Sequence, residues 1–147
     1  MNRITSFDGE HAFLSNFHPS PVTFEGTTYP TVEHAFQAAK TDDPRERAAV
    51  LAQATPGGAK RLGRRLTLRP DWDEARVPVM HVLVYEKFAN HPDLAERLLA
   101  TGDAELVEGN GWGDVFWGVC RGVGANNLGR ILMQVRAQLR EEAVRHG

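Results

Sequence analysis

The second half of the chain alternates between apolar and polar residues with the spacing of α-helices. Apolar positions three and four residues apart form core-facing stripes, which predicts three amphipathic helices. The stripes consist of Met80, Leu83, Val84 and Phe88, then Leu94, Leu98 and Leu99, and finally Leu128, Ile131, Leu132, Val135 and Leu139. We expect Pro78 to break and restart the first of these helices, and Lys87 to reach out from the edge of its stripe.

Helix start signals recur through the first half of the chain. Thr31 follows a proline and can cap a helix through its hydroxyl. Asp43-Pro44 and Thr55-Pro56 each combine a capping side chain with a proline at the first helical position. These signals predict helices that begin at residues 32, 44 and 56, the second reaching about residue 54. His91-Pro92 predicts another helix, which Gly102 ends.

Short apolar–polar alternations predict strands near the N-terminus. Residues 4–7 read as one strand, and residues 22–24 and 27–29 as a hairpin around Glu25-Gly26. Residues 105–108 are a further short strand candidate. A chain of 147 residues suits one domain with one core, so we expect a single domain over residues 1–147.

Composition narrows the classes of function. The chain has 17 Lys and Arg against 19 Asp and Glu, for a net charge of −2, which argues against bulk electrostatic binding to nucleic acid. Cys120 is the single cysteine, so a disulfide framework is excluded and a cytoplasmic location is expected. No apolar stretch is long enough to span a bilayer, and the histidines lack metal-ligand spacing, so we expect no membrane contact and no metal.

The first predicted helix carries an acid, an amide and an amine on one face. A helix turns by about 100° per residue, so Glu33, Gln37 and Lys40 lie within a stripe of roughly 60°, bordered by Phe36. Such a stripe is often a solvated face with charges at i,i+4 spacing. His34 is expected to be a structural hydrogen bonder.

Two loops carry further candidate binding residues. Phe13 and Phe17 bracket the polar pair Ser15 and Asn16, which can donate or accept hydrogen bonds or simply form a turn. The glycine-rich stretch 109–124 carries Asp114 and Trp117. There Trp117 could stack on a base, or the stretch could be an ordinary turn with core tryptophans.

A basic cluster follows in the third predicted helix. It consists of Lys60, Arg61, Arg64 and Arg65, without interleaved aromatic residues. A phosphate contact and a solvated basic face are both open interpretations of it.

Taken together and in order, these motifs resemble the NADAR family, also called YbiA-like. The matching stretches are Leu14-Ser15-Asn16-Phe17, Glu33-His34-Ala35-Phe36-Gln37-Ala38-Ala39-Lys40, Asp114-Val115-Phe116-Trp117-Gly118 and Gly124-Ala125-Asn126-Asn127-Leu128-Gly129. Each motif alone is weak, but the ordered set covers nearly the whole chain. The resemblance implies a compact, mainly helical α+β fold and cleavage of N-glycosidic bonds without a cofactor.

The family resemblance also implies candidate roles. N-glycoside cleavage passes through an oxocarbenium-like state that a carboxylate stabilises, for which Glu33 and Asp114 are the candidates. Lys40 could hold an anion, or could form a Schiff base with a ring-opened sugar; the resemblance favours the second role. The substrate-binding candidates are Ser15, Asn16, Phe17, Gln37, Trp117, Gly118, Gly124 and Asn126. We expect Asn16, Glu33, Lys40, Asp114 and Trp117 to line one cleft.

The branch of the family stays open at this point. One branch hydrolyses ribosylamino-pyrimidine phosphates of riboflavin biosynthesis, and another removes ADP-ribose from guanine bases. We therefore expect a phosphorylated ribosyl or nucleotide substrate, with ADP-ribosylated nucleic acid as the alternative partner. A non-catalytic binder of ADP-ribose is the competing class. The sequence does not indicate an oligomeric state.

Overall fold

The computed structural model describes residues 2–146 and is mainly helical with short strands, as predicted. The helices are α1 (Val32–Ala39), α2 (Pro44–Leu51), α3 (Pro56–Gly63), α4 (Trp72–Ala89), α5 (Pro92–Ala100) and α6 (Asn127–His146). The strands are β1 (Arg3–Ile4), β2 (Val22–Phe24), β3 (Thr27–Tyr29), β4 (Glu105–Leu106), β5 (Gly109–Asn110) and β6 (Val119–Cys120), and a 3-10 helix spans Gly9–Leu14. No helix within residues 2–146 is both long and apolar enough to cross a membrane.

The described residues form two compact units. The central unit is Asn16–Asn90 and holds the β2–β3 hairpin with α1 to α4. The terminal unit combines residues 2–15 with residues 91–146 and holds α5, α6 and two parallel strand pairs, β1 with β4 and β5 with β6.

The hairpin of the central unit leads directly into α1. Val22 pairs with Tyr29 and Phe24 with Thr27, which confirms the predicted hairpin around Glu25-Gly26. Glu25 and Gly26 make the turn with positive φ angles of 49° and 85°. Within this unit α1 packs against the hairpin and against α2, α3 and α4, and every residue of α1 is buried.

Local capping fixes the starts of the next two helices. The Asp43 carboxylate accepts a hydrogen bond from the Arg45 N–H at 2.8 Å, and the Thr55 hydroxyl accepts one from the Gly58 N–H at 3.0 Å. Both starts confirm the predictions. The helix α2 ends at Leu51, short of the predicted residue 54.

Helix α4 differs from its prediction in two ways. It runs without a break through Pro78, which is exposed, so the helix carbonyl left without a donor lies near solvent. Lys87 is 1% exposed rather than reaching out, and burial lowers the pKa of its amine to about 7. Its Nζ lies 5.0 Å from the centroid of the Phe88 ring. Tertiary packing thus overrides the expectation for Lys87, whereas the exposed position of Pro78 lets the helix continue.

The strands of the terminal unit are shorter than predicted. The strand expected over residues 4–7 is limited to Arg3–Ile4, and the one expected over residues 105–108 to Glu105–Leu106. Arg3 pairs with Glu105 in the parallel register, and the guanidinium and carboxylate are 3.1 Å apart.

Candidate functional site

The start of α1 is fixed by two residues that hold each other. The Thr31 hydroxyl accepts a hydrogen bond from the His34 N–H at 3.0 Å and also contacts the His34 Nδ1 at 2.8 Å. The other ring nitrogen of His34 lies 2.9 Å from the Gln53 carbonyl oxygen. With both nitrogens engaged, His34 is a structural hydrogen bonder that fixes the orientation of the helix.

The polar stripe of α1 is not a solvated face. Glu33 is 8% exposed and Gln37 is 4% exposed. The Gln37 amide nitrogen donates to the Glu33 Oε2 at 2.6 Å, which is the i,i+4 contact that the spacing allows. The protein thus keeps a carboxyl group and its amide partner buried on one helix face, where a purely structural helix would place apolar side chains.

Burial raises the pKa of the Glu33 carboxyl, because the charged form loses its hydration. The hydrogen bond from Gln37 opposes this rise, as do the charges of Lys60, Lys40 and His34. A carboxyl group with a raised pKa keeps its proton to a higher pH than a glutamate in water, which suits a general acid or base.

Lys40 ends α1 two turns beyond Glu33. Its carbonyl oxygen accepts a hydrogen bond from the Arg69 N–H at 2.7 Å, and its Nζ lies 5.9 Å from the Phe36 ring centroid. Burial lowers the pKa of the amine, and the positive charges of Arg64 and Lys60 lower it further, against an opposing effect of Glu33. A larger fraction of this amine is therefore neutral than for a lysine in water, as nucleophilic attack requires.

The basic cluster at α3 acts on the groups of α1. The charge of Lys60 opposes the rise in the Glu33 pKa, and the charges of Arg64 and Lys60 lower the Lys40 pKa. Lys60 is half-buried, whereas Arg61, Arg64 and Arg65 are exposed. Positive charge therefore gathers where α3 faces the end of α1.

The loop before the hairpin also contacts α1. The Asn16 carbonyl oxygen accepts a hydrogen bond from the Glu33 N–H at 3.1 Å, and its amide lies 3.5 Å from the Met80 sulfur. Phe17 is 41% exposed. Ser15 belongs to the terminal unit and ends the 3-10 helix there, donating its N–H to the Ala12 carbonyl at 3.0 Å.

Asp114 of the terminal unit uses its carboxylate within its own turn. Its Oδ1 accepts hydrogen bonds from the Phe116 N–H at 3.1 Å and the Trp117 N–H at 2.9 Å. Asn110 holds the same turn from the other side, since its side chain bonds the Asp114 N–H and carbonyl. A structural role accounts for these contacts, and the catalytic role of Asp114 stays a prediction.

Trp117 is half-buried in the same turn. Its ring meets the Phe116 ring edge to face, with centroids 4.8 Å apart at 87°. Its carbonyl oxygen accepts the N–H of Leu128 in α6 at 3.0 Å. The turn is therefore tied to α6, and the stacking role of Trp117 stays a prediction.

Close backbone packing explains the neighbouring glycines. A Cβ at Gly118 would lie 2.2 Å from the Glu108 carbonyl oxygen, and one at Gly124 would lie 2.1 Å from the Gly118 carbonyl oxygen. Asn126 precedes α6 and turns its side chain to the strand, where it accepts from the Glu108 N–H and donates to the Leu106 carbonyl, both at 3.0 Å. Substrate binding by these three residues stays a prediction.

The terminal unit also has a surface cavity of about 510 Å³, lined in part by His11, Arg97 and Thr101. Within the described residues, no predicted site residue lines this cavity.

Two residues of the α1 surroundings were missed as members of the site. Lys60 was recognised only as part of a basic cluster, and Gly63, which packs on the Gln37 amide, was not among the predicted site residues. The available signal was a glycine inside a helical stretch, three residues after Lys60 and so on the same helix face.

Comparisons with known proteins bear on the whole chain. The family model described as the NADAR domain matches residues 5–140. The chain is 42% identical to an N-glycosidase of Nostoc punctiforme, over 86% of this chain and 85% of that protein. It is 38% identical to N-glycosidase YbiA of Escherichia coli, over 91% of this chain and 85% of that protein.

A longer relative and a solved structure agree with this match. The chain is 47% identical to a riboflavin biosynthesis protein of Vibrio vulnificus, over 92% of this chain but only 38% of that protein's length. The NMR structure of Escherichia coli YbiA superposes with a TM-score of 0.88 at 36% identity, covering 100% of this chain and 91% of that one. The chain therefore belongs to the NADAR family.

Proposed function

We propose that this protein is an N-glycosidase that hydrolyses ribosylamino-pyrimidine phosphates, with Glu33 and Lys40 as its reacting groups. The observation that carries the proposal is the α1 face, where a buried acid and a partly buried amine lie two helical turns apart. Two turns correspond to about 10 Å along the axis, so both groups can flank one sugar without pairing directly.

The relatives support the reaction class and favour one substrate branch. Proteins 38% and 42% identical to this chain are named N-glycosidases. The relative at 47% identity is named a riboflavin biosynthesis protein, which favours the pyrimidine intermediates over ADP-ribosylated guanine as substrate. Since that protein is much longer, its activity as a whole is not transferred to this chain.

Glu33 supplies the carboxylate of the proposed mechanism. The bond between C1 and the ring oxygen breaks first, as the pyrimidine amino nitrogen forms a double bond to C1, and a carboxylate stabilises the positive charge that develops at C1 and this nitrogen. Its raised pKa also allows Glu33 to carry a proton to the ring oxygen or to the departing amine. The Gln37 hydrogen bond holds the carboxylate in place between these steps.

Lys40 supplies the nucleophile. In the ring-opened substrate C1 is double-bonded to the pyrimidine amino nitrogen, at the oxidation level of an aldehyde. The neutral Lys40 amine adds to C1, the pyrimidine amine leaves with a proton, and a Schiff base between Lys40 and the sugar remains. Water then adds to that imine and releases ribose phosphate, so that one water is consumed for each bond cleaved.

The positive groups of α3 fit the substrate's phosphate. Lys60 and Arg64 already act on the Lys40 amine, and a phosphate held between them would be close to the reacting centre. This arrangement leaves Lys40 free for C1. The proposal therefore includes a phosphorylated small molecule as substrate.

The domain and its location complete the proposal. The family model draws on residues of both compact units, which supports treating residues 5–140 as one functional NADAR domain. The single cysteine suits a reducing environment, so we propose a cytoplasmic location.

A hydrolysis panel tests this function. Purified protein is incubated with ribosylamino-pyrimidine phosphate, its dephosphorylated form, ADP-ribosyl-guanosine and NAD, and the products are identified by mass. We expect release of ribose phosphate and the pyrimidine amine, with a higher KM for the dephosphorylated form. Preferred cleavage of ADP-ribosyl-guanosine would assign the other branch, and binding without cleavage of any substrate would make the protein a nucleotide-binding module.

A further inference from the structure

We propose that Gly63 of α3 is a positioning residue. Because it has no side chain, it leaves the space in which the Gln37 amide lies against the Glu33 carboxyl. The inference rests on the proposed role of Glu33 and deepens it. It concerns how the reacting carboxyl is oriented from a different helix, and it is carried by a close contact between α1 and α3.

The contact lies at the amide of Gln37. An ideal Cβ built on Gly63 would lie 1.9 Å from the Gln37 Oε1 and 2.6 Å from its Cδ. Real Cβ atoms do not approach other heavy atoms this closely, so a side chain at position 63 would force the amide to move. Gly63 has no positive φ that would require glycine for the backbone, so the space that it leaves is the reason for glycine here.

The nitrogen end of the same amide contacts Glu33, so the space at Gly63 allows the Gln37 side chain to reach the carboxyl. The Gln37 nitrogen faces Glu33 and donates to its Oε2, which suits the ionised carboxyl because a carboxylate only accepts hydrogen bonds. The Gln37 oxygen is thereby turned toward α3, where it is buried and has no hydrogen-bond partner within the described residues. A buried unpaired carbonyl is costly, and it persists here because the 2.6 Å bond to Glu33 holds the nitrogen end.

The amide and the surrounding charges act on the same carboxyl. The hydrogen bond from Gln37 favours the ionised form of Glu33, as do the charges of Lys60 on α3 and of Lys40 and His34. An alanine at position 63 would leave Lys60, Lys40 and His34 in place and displace the amide. The Glu33 pKa should then rise, because burial would be opposed by fewer groups.

The direct test measures the Glu33 carboxyl itself. The protein is labelled with carbon-13 at the glutamate carboxyl carbons, the Glu33 signal is assigned with Glu33→Gln, and the pKa is read from a pH titration by NMR. We expect Gly63→Ala to raise the Glu33 pKa. Gly57→Ala is the matched control in the same helix, since its Cβ would meet the Arg61 Nη1 at 3.5 Å and the Thr55 Oγ1 at 4.0 Å, both ordinary contacts.

A double-mutant cycle separates positioning from a general change in α3. Gln37→Ala removes the amide, so it should raise the Glu33 pKa as well, and adding Gly63→Ala to it should change nothing further. A shift of equal size in Gly57→Ala, or one that persists in the Gln37→Ala background, would overturn the proposal. An unchanged pKa in a folded Gly63→Ala variant would do the same.

Kinetics give the second readout. If Glu33 must be ionised for the reaction, the acid limb of the kcat profile should move to higher pH in Gly63→Ala, with kcat on that limb about tenfold lower for each unit of pKa change. KM should stay close to its original value. If the original protein hydrolyses no substrate of the panel, the proposed function fails, while the titration still decides whether Gly63 positions the amide.

Discussion

The α1 face and the 109–124 turn hold similar residues and use them in opposite ways. Asp114 accepts two backbone hydrogen bonds, and the Asn126 side chain bonds two backbone groups of the strand region. On α1 the Glu33 carboxyl meets a side-chain amide whose other end is unpaired, and the Lys40 amine lies over an aromatic ring.

This difference indicates that the reactive groups lie on α1, where burying them lowers the stability of the fold. A carboxylate that caps backbone N–H groups stabilises its own turn, much as a helix cap does. A buried carboxyl with a raised pKa and an amine with a lowered pKa each have a charged form that folding disfavours. Such groups are typical of functional sites. We infer that the reacting groups are those of α1 and that Asp114 and Asn126 mainly stabilise the backbone of the 109–124 turn.

The largest effect is expected at Lys40. Lys40→Arg keeps the positive charge but cannot form an imine, so it should abolish turnover. Borohydride added during turnover should reduce the Schiff base and attach the sugar covalently to Lys40, which peptide mass spectrometry detects. Lys60→Met is the control, because it removes a neighbouring amine and should still be trapped at Lys40. A Lys40→Arg variant with full activity would reduce Lys40 to an anion-binding role.

A somewhat smaller effect should separate the two carboxyl groups. Glu33→Gln should lower kcat by about a hundredfold or more with little change in KM, because it removes stabilisation felt mainly in the transition state. Asp114→Asn keeps an oxygen that can accept from the Phe116 and Trp117 N–H groups, so it should lose less than about tenfold. Equal losses in kcat would restore Asp114 to the reaction, as the sequence predicted.

The starts of the helices were predictable because their causes are local. Thr31, Asp43 and Thr55 each cap the helix that follows within three residues, so the sequence pattern contains the whole interaction. The hairpin was predictable for the same reason, since its register depends on a turn of two residues.

The misses have causes that are distant in sequence. Pro78 continues a helix whose exposed side tolerates the lost hydrogen bond, and the burial of Lys87 depends on the packing of α4. Gly63 matters through an amide 26 positions earlier, and no spacing rule connects these two residues. The sequence placed Glu33 and Lys40 on one helix face, but it could not show that this face is buried.

Trp117 should have an intermediate effect, confined to binding. Stacking of an aromatic ring on a base is worth roughly 1–3 kcal/mol, so Trp117→Ala should weaken substrate binding by about tenfold or more. Trp112→Ala is the matched control, since Trp112 lies in the same stretch and is 66% exposed. Isothermal titration in the Lys40→Arg background, which should not turn over the substrate, would measure both. Unchanged affinity in a folded Trp117→Ala variant would leave the turn with a structural role alone.

The smallest effect concerns the free energy of unfolding. It tests whether burying the Glu33 carboxyl on α1 lowers the stability of the protein. The Glu33 pKa is raised in the folded state, so the unfolded chain loses this proton first as the pH rises above about 4.5. The contribution of Glu33 to stability is therefore complete below that pH and is lost as the pH rises through the folded-state pKa.

Glu33→Gln has no proton to lose and can still accept the Gln37 hydrogen bond. The free energy of unfolding of the variant, measured in urea, should thus gain on that of the original protein between pH 4 and pH 7. Glu74→Gln, at an exposed position of α4, should show no such gain. A Glu33→Gln variant whose relative stability stays constant or falls over this range would show that the buried carboxylate is fully compensated by its neighbours, and the contrast with Asp114 would then rest on catalysis alone.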